Sequence, residues 1–391
     1  MRIKKNAGAQ FRPYHPWIYT GSLEKPSDDI QHGDFVHVEL DGTIIATGMY
    51  SRHSMIAVRL MAYKRTTIDK EWVRERIQKA IRLRQDFGPL PLPQTTGWRV
   101  IFGQSDALPG LVADKYGDTV VIQISTAGMD TLRDIIVECL IEELKPRCIY
   151  ERSDMVARSE EKLPNRTGLC YGEDFEYAEF LESGRRYLAD FKAGQKTGFY
   201  LDQRELRNAI GEFSRNKKAV DIFSYTGAAG IAALAGGASS VEFVDSSASA
   251  LDLCRRHTIL NNFPEQNITT TEADVFQWIA DKKEPEYDLV MLDPPALIKS
   301  RKHIEAGKKA YHFLNRAALR IIKDGGLFVT SSCSAYMTHD MMVEMLINAL
   351  KQANVGLTIF KTVQQSPDHH VPVFFPEAFY LKSIFCTVQR F

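Results

Sequence analysis

From about residue 219 onward, short and almost continuously apolar runs alternate with amphipathic ones, and this constrains the fold more than any other feature. The runs are AVDIFS (219–224), VEFVD (241–245), YDLVMLDPP (287–295) and GGLFVTSSCS (325–334), with the threonine-rich NITTTEAD (267–274) as a further strand. Helical patterns lie among them, such as ASALDLCRRHTILNN (248–262) and KKAYHFLNRAALRIIK (308–323), with HDMMVEMLINALKQA (339–353) after the last. Strands without a polar face must be covered on both sides, so the pattern predicts a parallel, doubly wound α/β sheet. GLTIFKTV (356–363) and LKSIFCTVQ (381–389) have no helix between them and are expected as an antiparallel hairpin at the sheet edge.

In an open α/β sheet a ligand sits beyond the C-terminal ends of the strands, so those ends carry the chemical information. The first strand runs from Asp221 into Ser224-Tyr225-Thr226-Gly227-Ala228-Ala229-Gly230. This is not G-x-G-x-x-G, and the close-approach loop a pyrophosphate requires is missing. The second strand ends in Asp245, eighteen residues beyond Gly227, where a carboxylate can accept both ribose hydroxyls. Asp274 ends the third and is placed to meet an adenine edge. Asp293-Pro294-Pro295-Ala296 ends the fourth, its two prolines removing N–H donors and leaving carbonyls exposed. A lone aspartate at such a place more often caps the next helix. Acidic ends on successive strands favour an adenosine-bearing ligand with a positive centre.

The fifth strand ends in Thr330-Ser331-Ser332-Cys333-Ser334. This puts a cysteine at the ligand-facing rim just ahead of a helix, whose N-terminus would favour the thiolate. Cys139, Cys148, Cys170, Cys254 and Cys386 read as small buried residues. With no C-x-x-C pair, the six cysteines point to reduced thiols in a cytoplasmic protein and to no metal site. Lysines and arginines balance acids at 49 each, which argues against a polycation that coats nucleic acid. One local run departs from that balance. Lys299, Arg301, Lys302, Lys308, Lys309 and Arg316 face only Glu305 between residues 297 and 316.

Residues 1–67 read differently. FVHVEL, an Asp41-Gly42 turn and TIIATGMYS form a hairpin signal, and MIAVRLM adds a strand, which suggests a small β-barrel. A helical pattern at 68–86 and the proline-rich FGPLPLPQTTG open a central α+β segment expected to extend to residue 185, with 186–391 as the Rossmann-like domain. No run of about 18 apolar residues suggests a membrane span.

Taken together, the chain resembles the bacterial 23S rRNA cytosine-C5 methyltransferases of the RlmI type, which are class I S-adenosylmethionine-dependent enzymes with an N-terminal PUA domain. The resemblance is carried by His15-Pro16-Trp17-Ile18-Tyr19, by Ser105 through Gly117, and most specifically by Gly194-Gln195-Lys196-Thr197-Gly198-Phe199-Tyr200-Leu201-Asp202-Gln203-Arg204. Asp221 through Gly227, Asp293 through Ala296, Ser332-Cys333-Ser334, Pro376-Glu377 and Tyr380-Leu381-Lys382 complete it. Gln104, Leu206-Arg207 and Ala228-Ala229 depart from the family pattern.

The resemblance implies 5-methylcytosine formation in RNA, with Cys333 adding to C6 of the base and Asp293 facing it. S-adenosylmethionine would be held by Ser224, Tyr225, Thr226, Gly227, Asp245, Asp274, Val275, Asp293, Lys196 and Thr197. RNA would pass over Lys299, Arg301, Lys302, Lys308, Lys309 and Arg204, with the N-terminal module adding backbone contacts. A homodimer is compatible with the pattern. Some related cytosine methyltransferases carry a second cysteine beside the proline of the fourth strand end, where this chain has Pro295-Ala296. Three alternatives remain open: methylation at a ring nitrogen or exocyclic amine, a nicotinamide-dependent dehydrogenase, and a non-catalytic RNA-binding protein.

Overall fold

The computed structural model describes residues 1–4, 7, 12, 14–88, 90–298 and 300–391. Contacts divide the chain into two compact units, Met1–Leu181, Ala189–Leu201 and Pro367–Ala378 in one and Glu182–Leu188, Asp202–Ser366 and Phe379–Phe391 in the other.

The first unit opens with an antiparallel sheet of β1 (Trp17–Tyr19), β2 (Phe35–Leu40), β3 (Thr43–Tyr50) and β4 (Ile56–Ala62), in the order β1-β4-β3-β2. Asp41 and Gly42 join β2 to β3 with φ of 49° and 80°, the left-handed pair that a two-residue hairpin turn demands. Helix α1 (Lys70–Phe87) begins at Asp69, whose carboxylate accepts the Trp72 N–H at 2.9 Å. Next come β5 (Gly97–Phe102), β6 (Leu111–Tyr116), β7 (Thr119–Ile124), α2 (Ala127–Thr131), α3 (Arg133–Leu144), β8 (Cys148–Ser153), α4 (Val156–Glu160) and β9 (Arg166–Gly172). Their strands form one sheet in chain order. Met49 and Met61 of the N-terminal sheet share a core with Trp72 and Ile77 of α1 and with Leu111 and Met129, so the N-terminal sheet packs onto the segment that follows residue 67. Strands β10 (Ala178–Glu182) and β11 (Arg185–Ala189) form a two-stranded sheet, and the expected boundary at 185 falls within it.

The second unit contains α5 (Arg204–Glu212), β12 (Lys218–Ile222), α6 (Ala228–Ala235), β13 (Ser240–Asp245), α7 (Ala248–Leu260), β14 (Ile268–Glu272), α8 (Val275–Asp281) and β15 (Tyr287–Leu292). It continues through α9 (Ile304–Arg320), β16 (Ile322–Ser332), α10 (His339–Ala353), β17 (Val355–Gln364) and β18 (Lys382–Arg390). The sheet order is β14-β13-β12-β15-β16-β18-β17. Strand order reverses between β12 and β15, and that switch point opens the crevice where such sheets bind ligands. Val220, Ile222, Val244, Val290, Leu292 and Phe328 pack with Leu314, Ala318, Met345 and Ala349 in a single core.

The two last strands do pair antiparallel, Val355 opposite Arg390 through Gln364 opposite Lys382. They are not both at the edge, however. Strand β18 inserts between β16 and β17, pairing antiparallel with each. In that place six of the first seven residues of β18 are buried, while β17 at the edge is largely exposed.

Candidate cofactor and catalytic site

The parallel register brings the strand ends together. Ile222 of β12 lies opposite Val244 of β13 and Leu292 of β15, and Leu292 lies opposite Thr330 of β16. Asp245 and Asp293 each follow those residues directly, and Cys333 leaves the same edge three residues after Thr330. Asp221, one residue earlier on β12, is fully buried, with its Oδ2 accepting the Gly230 N–H at 2.8 Å. Burial, with Asp293 and Asp245 nearby adding repulsion, pushes its pKa up to about 8. Such crowding of carboxylates is the electrostatic complement of a positively charged ligand.

The loop after β12 is held in an uncommon conformation. Phe223, Tyr225 and Gly227 all have positive φ, at 62°, 48° and 77°. For the two aromatic residues this is a strained state that the surroundings must impose. The Tyr225 N–H donates to Asp245 Oδ2 at 2.8 Å, and Asp245 Oδ1 accepts the Ser247 N–H at 2.9 Å. Asp245 is therefore oriented by two backbone donors, one to each oxygen, and each oxygen keeps a second lone pair for a ribose hydroxyl. A Cβ at Gly227 would lie 2.6 Å from Cys254 Sγ and 2.9 Å from the Phe243 ring, so only glycine allows the close approach of loop and α7.

His257, which the sequence pattern leaves as one polar residue on α7, locks this loop. Its Nδ1 lies 2.8 Å from the Thr226 carbonyl oxygen, and its Nε2 accepts the Leu188 N–H at 2.9 Å. Those partners require a neutral ring with the proton on Nδ1. Burial lowers its pKa to about 4. Between pH 6.5 and about 4 the unfolded chain binds a proton at this site that the folded protein does not, so stability falls as pH falls through that window. His257→Gln is expected to flatten the acid limb of a urea-midpoint profile by up to one proton. Parallel profiles for the two proteins would rule this out.

Asp293 Oδ2 accepts from the Gln203 side chain at 2.6 Å. Beyond it, Ile298 is buried and its N–H donates to Ser334 Oγ at 3.3 Å, which ties the loop after β15 to the loop that carries Cys333. Gly307 of α9 permits this, because a Cβ there would lie 2.3 Å from Ile298 Cγ1. Cys333 is half-buried between two fixed hydroxyls. Ser332 Oγ donates to the buried Tyr311 hydroxyl at 3.0 Å, and Tyr311 also meets Ser334 Oγ at 3.1 Å. Thr330 donates to Asn315, whose amide in turn donates to the Tyr311 carbonyl, both at 2.7 Å. Tyr311 and Asn315 stand four apart on α9, a pair of polar residues on an otherwise apolar face.

The cation beside the cysteine is Lys382. It begins β18, directly opposite Ser332, and is only 5% exposed. Its ammonium donates to the carbonyl oxygens of Ser334 at 3.0 Å and Met337 at 2.6 Å. Burial pushes its pKa down, and the charge of Cys333 opposes that shift. The helix N-terminus expected beside the cysteine is farther along. Helix α10 starts at His339 with Thr338 as its cap, accepting the Met341 N–H at 3.2 Å. That cap lies five residues beyond Cys333, and the Lys382 ammonium adds a positive charge that couples to the cysteine.

Other expected site residues are placed differently. Thr197 belongs to the first unit, where it is buried and donates to Asp114 Oδ2 at 2.6 Å while meeting the Tyr116 hydroxyl at 2.9 Å. Its hydroxyl joins two sequence motifs and is spent on structure. Lys196 lies in the same unit, exposed, its ammonium 4.2 Å from the centre of the Tyr200 ring. Arg204 is 4% exposed and lies 3.8 Å from Glu205, so it offers no surface for a phosphate. Asp274 is exposed and caps α8, accepting the Gln277 N–H through Oδ1, with Val275 buried behind it. Ser224 is buried, and its hydroxyl lies beside the Cys254 thiol. Arg301, Lys302 and Lys309 are exposed around the start of α9, and Lys308 lies 3.7 Å from Glu305. Lys299 falls outside the described residues.

The residues present fit S-adenosylmethionine: an oriented carboxylate on the second strand, Asp293 at the end of the fourth, and a glycine-containing loop between them. A family model described as S-adenosylmethionine-dependent methyltransferase matches residues 156–368, and a PUA-like domain model matches residues 1–63. The same architecture spans 99% of both chains in a Streptococcus mutans protein named for SAM-dependent methyl transfer, with a TM-score of 0.84 at 23% identity. SMU.776, solved in complex with SAH, gives 0.85 at 24% identity over 99% of both chains. Fold and site thus define an S-adenosylmethionine-dependent methyltransferase. The ribosomal RNA large subunit methyltransferase I of Aeromonas hydrophila is 35% identical over 95% of this chain and 94% of its own length. That of Alteromonas mediterranea is 33% identical over 99% and 98%. The chain belongs to the family of these methyltransferases.

Proposed function

We propose that the protein methylates C5 of a cytosine in large-subunit ribosomal RNA, 23S rRNA in bacteria, in the cytoplasm, through a covalent bond between Cys333 and C6 of the base. The observation that carries this reading is the emergence of Cys333 and Asp293 from the same sheet edge, set by Thr330 opposite Leu292. C5 of cytosine is a weak nucleophile, and addition of a thiolate at C6 makes it enamine-like. Ser224, Tyr225, Thr226, Gly227 and Asp245 would hold S-adenosylmethionine, with Asp274 and Val275 beside them. When bound, it supplies an electrophilic methyl group. Asp293 would hydrogen-bond N3 or the exocyclic amine and stabilise the charge that develops there. After methylation C5 loses its proton to a base, and the C6–S bond breaks to regenerate Cys333. The buried Lys382 ammonium would keep the loop of the nucleophile in place and favour its thiolate form. The base must be flipped out or unpaired to reach this edge. Arg301, Lys302 and Lys309 would meet phosphates alongside it.

The test is direct. Unmodified large-subunit rRNA is incubated with the protein and S-adenosylmethionine, digested, and its nucleosides are resolved by mass spectrometry. Appearance of 5-methylcytidine is the expected result. A methylated nucleoside of another kind would keep the cofactor site and discard the adduct.

A further inference from the structure

A second place in the molecule has the chemistry of a nucleotide site, and it lies wholly within the first unit. The end of β4, one face of α1, the loop at 103–107 and the segment near residue 370 enclose a cleft of about 510 Å³, a nucleotide-sized volume. Lys64, Arg76 and Lys79 line it. The ion pairs of α1 are made by Lys70, Arg74 and Arg84, and among the described residues Arg76 and Lys79 make none. Asp106 is the single acid in the lining, and both its oxygens accept from the buried Arg84 guanidinium, at 2.6 and 2.8 Å. The cleft is therefore positive.

It also presents unused hydrogen-bonding groups. Arg76 Nε, Ser105 Oγ and His370 Nδ1 are shielded from solvent and have no partner among the described residues. His370 Nε2 lies 3.1 Å from the Ser105 carbonyl oxygen and must donate to it, which leaves Nδ1 as an acceptor. Burial keeps this ring neutral. Buried polar atoms are rarely left unpaired unless something else completes them. At the rim, Tyr63 and Phe374 are 40% and 42% exposed, with ring centres 6.0 Å apart. Exposed aromatic faces beside cations and an unsatisfied donor–acceptor set are what an unstacked base and its phosphates require.

We propose that this cleft binds an unpaired nucleotide of the RNA substrate. Phosphates would lie on Lys64, Arg76 and Lys79, and the base would lie against Tyr63 or Phe374 with its edge toward Ser105 and His370. This rests on the RNA reading above.

The test uses the full-length protein. With Lys64→Ala/Lys79→Ala, KM for large-subunit rRNA is expected to rise about tenfold near 0.1 M salt, and the slope of log affinity against log salt to fall by about two. Turnover and S-adenosylmethionine affinity should stay at wild-type values. Phe374→Ala should raise KM without changing the salt slope, because stacking carries no charge. Unchanged KM and slope in both variants would overturn the proposal. RNA carrying 4-thiouridine should photo-crosslink to peptides containing Tyr63 or Phe374, and crosslinks confined to other peptides would also overturn it. If the wild-type protein methylates no rRNA, the functional reading fails by itself. Filter binding of wild type and the double variant to unstructured RNA then decides the cleft: weaker binding by the variant supports it, and equal binding rejects it.

Discussion

Replacing Cys333 with alanine is expected to lower turnover on RNA by about 10⁴-fold or more, the scale seen when an enzyme loses its nucleophile. Binding of S-adenosylmethionine should survive, because the groups proposed to hold it stand on β12 and β13 and depend on Asp245 and His257. The fold should survive as well, since Cys333 is half-buried and its loop is held by Tyr311 and Lys382. A stronger form of the experiment replaces cytidine by 5-fluorocytidine in the RNA. Fluorine cannot leave C5 as a cation, so elimination is blocked after methyl transfer and the C6–S bond persists. The wild-type protein is then expected to yield an RNA–protein complex that resists denaturation, and Cys333→Ala none. Wild-type turnover in the alanine variant would remove cytosine-C5 chemistry and leave attack by a ring nitrogen or exocyclic amine.

Much of this site is legible in the sequence because its parts sit at strand ends. An apolar run that stops at an aspartate or a cysteine places that residue at the ligand edge once the sheet is parallel, as the registers of Ile222, Val244, Leu292 and Thr330 show. What cannot be read is whatever depends on a distant pairing. Lys382 is visible as a charge at the head of an apolar run, but its place beside Cys333 follows from β18 inserting antiparallel against β16. His257 looks like any polar residue on an amphipathic helix until its two backbone partners, 31 and 69 residues away, are known. Motif residues mislead for the reverse reason. Thr197 and Arg204 sit in the most specific motif, yet both are buried, and Thr197 is consumed by Asp114 and Tyr116. The step from Cys333 to a helix N-terminus is less direct than the sequence suggests, because the turn at residues 334–337 intervenes before Thr338 caps α10.

The second large effect is expected at Lys382. Replacing it with methionine keeps most of the length of the side chain and its apolar contacts but removes a positive charge that couples to Cys333. Two consequences follow from the geometry. The carbonyls of Ser334 and Met337 lose their shared donor, which loosens the turn that aims the thiol. The thiolate also loses a neighbouring positive charge in a site partly screened from water, where such a charge counts for more than at the surface. Together these should lower kcat by about 100-fold, equivalent to about 2.7 kcal/mol of barrier. A residue that served folding alone would lower the melting temperature and leave the pH dependence of the surviving activity untouched. A residue that supports the thiolate should instead move the rise of kcat with pH to higher pH, with KM for RNA little changed. Lys382→Met with an unshifted pH profile would reduce Lys382 to a structural tie. A shifted profile together with intact S-adenosylmethionine binding would make it the positioning residue of the nucleophile.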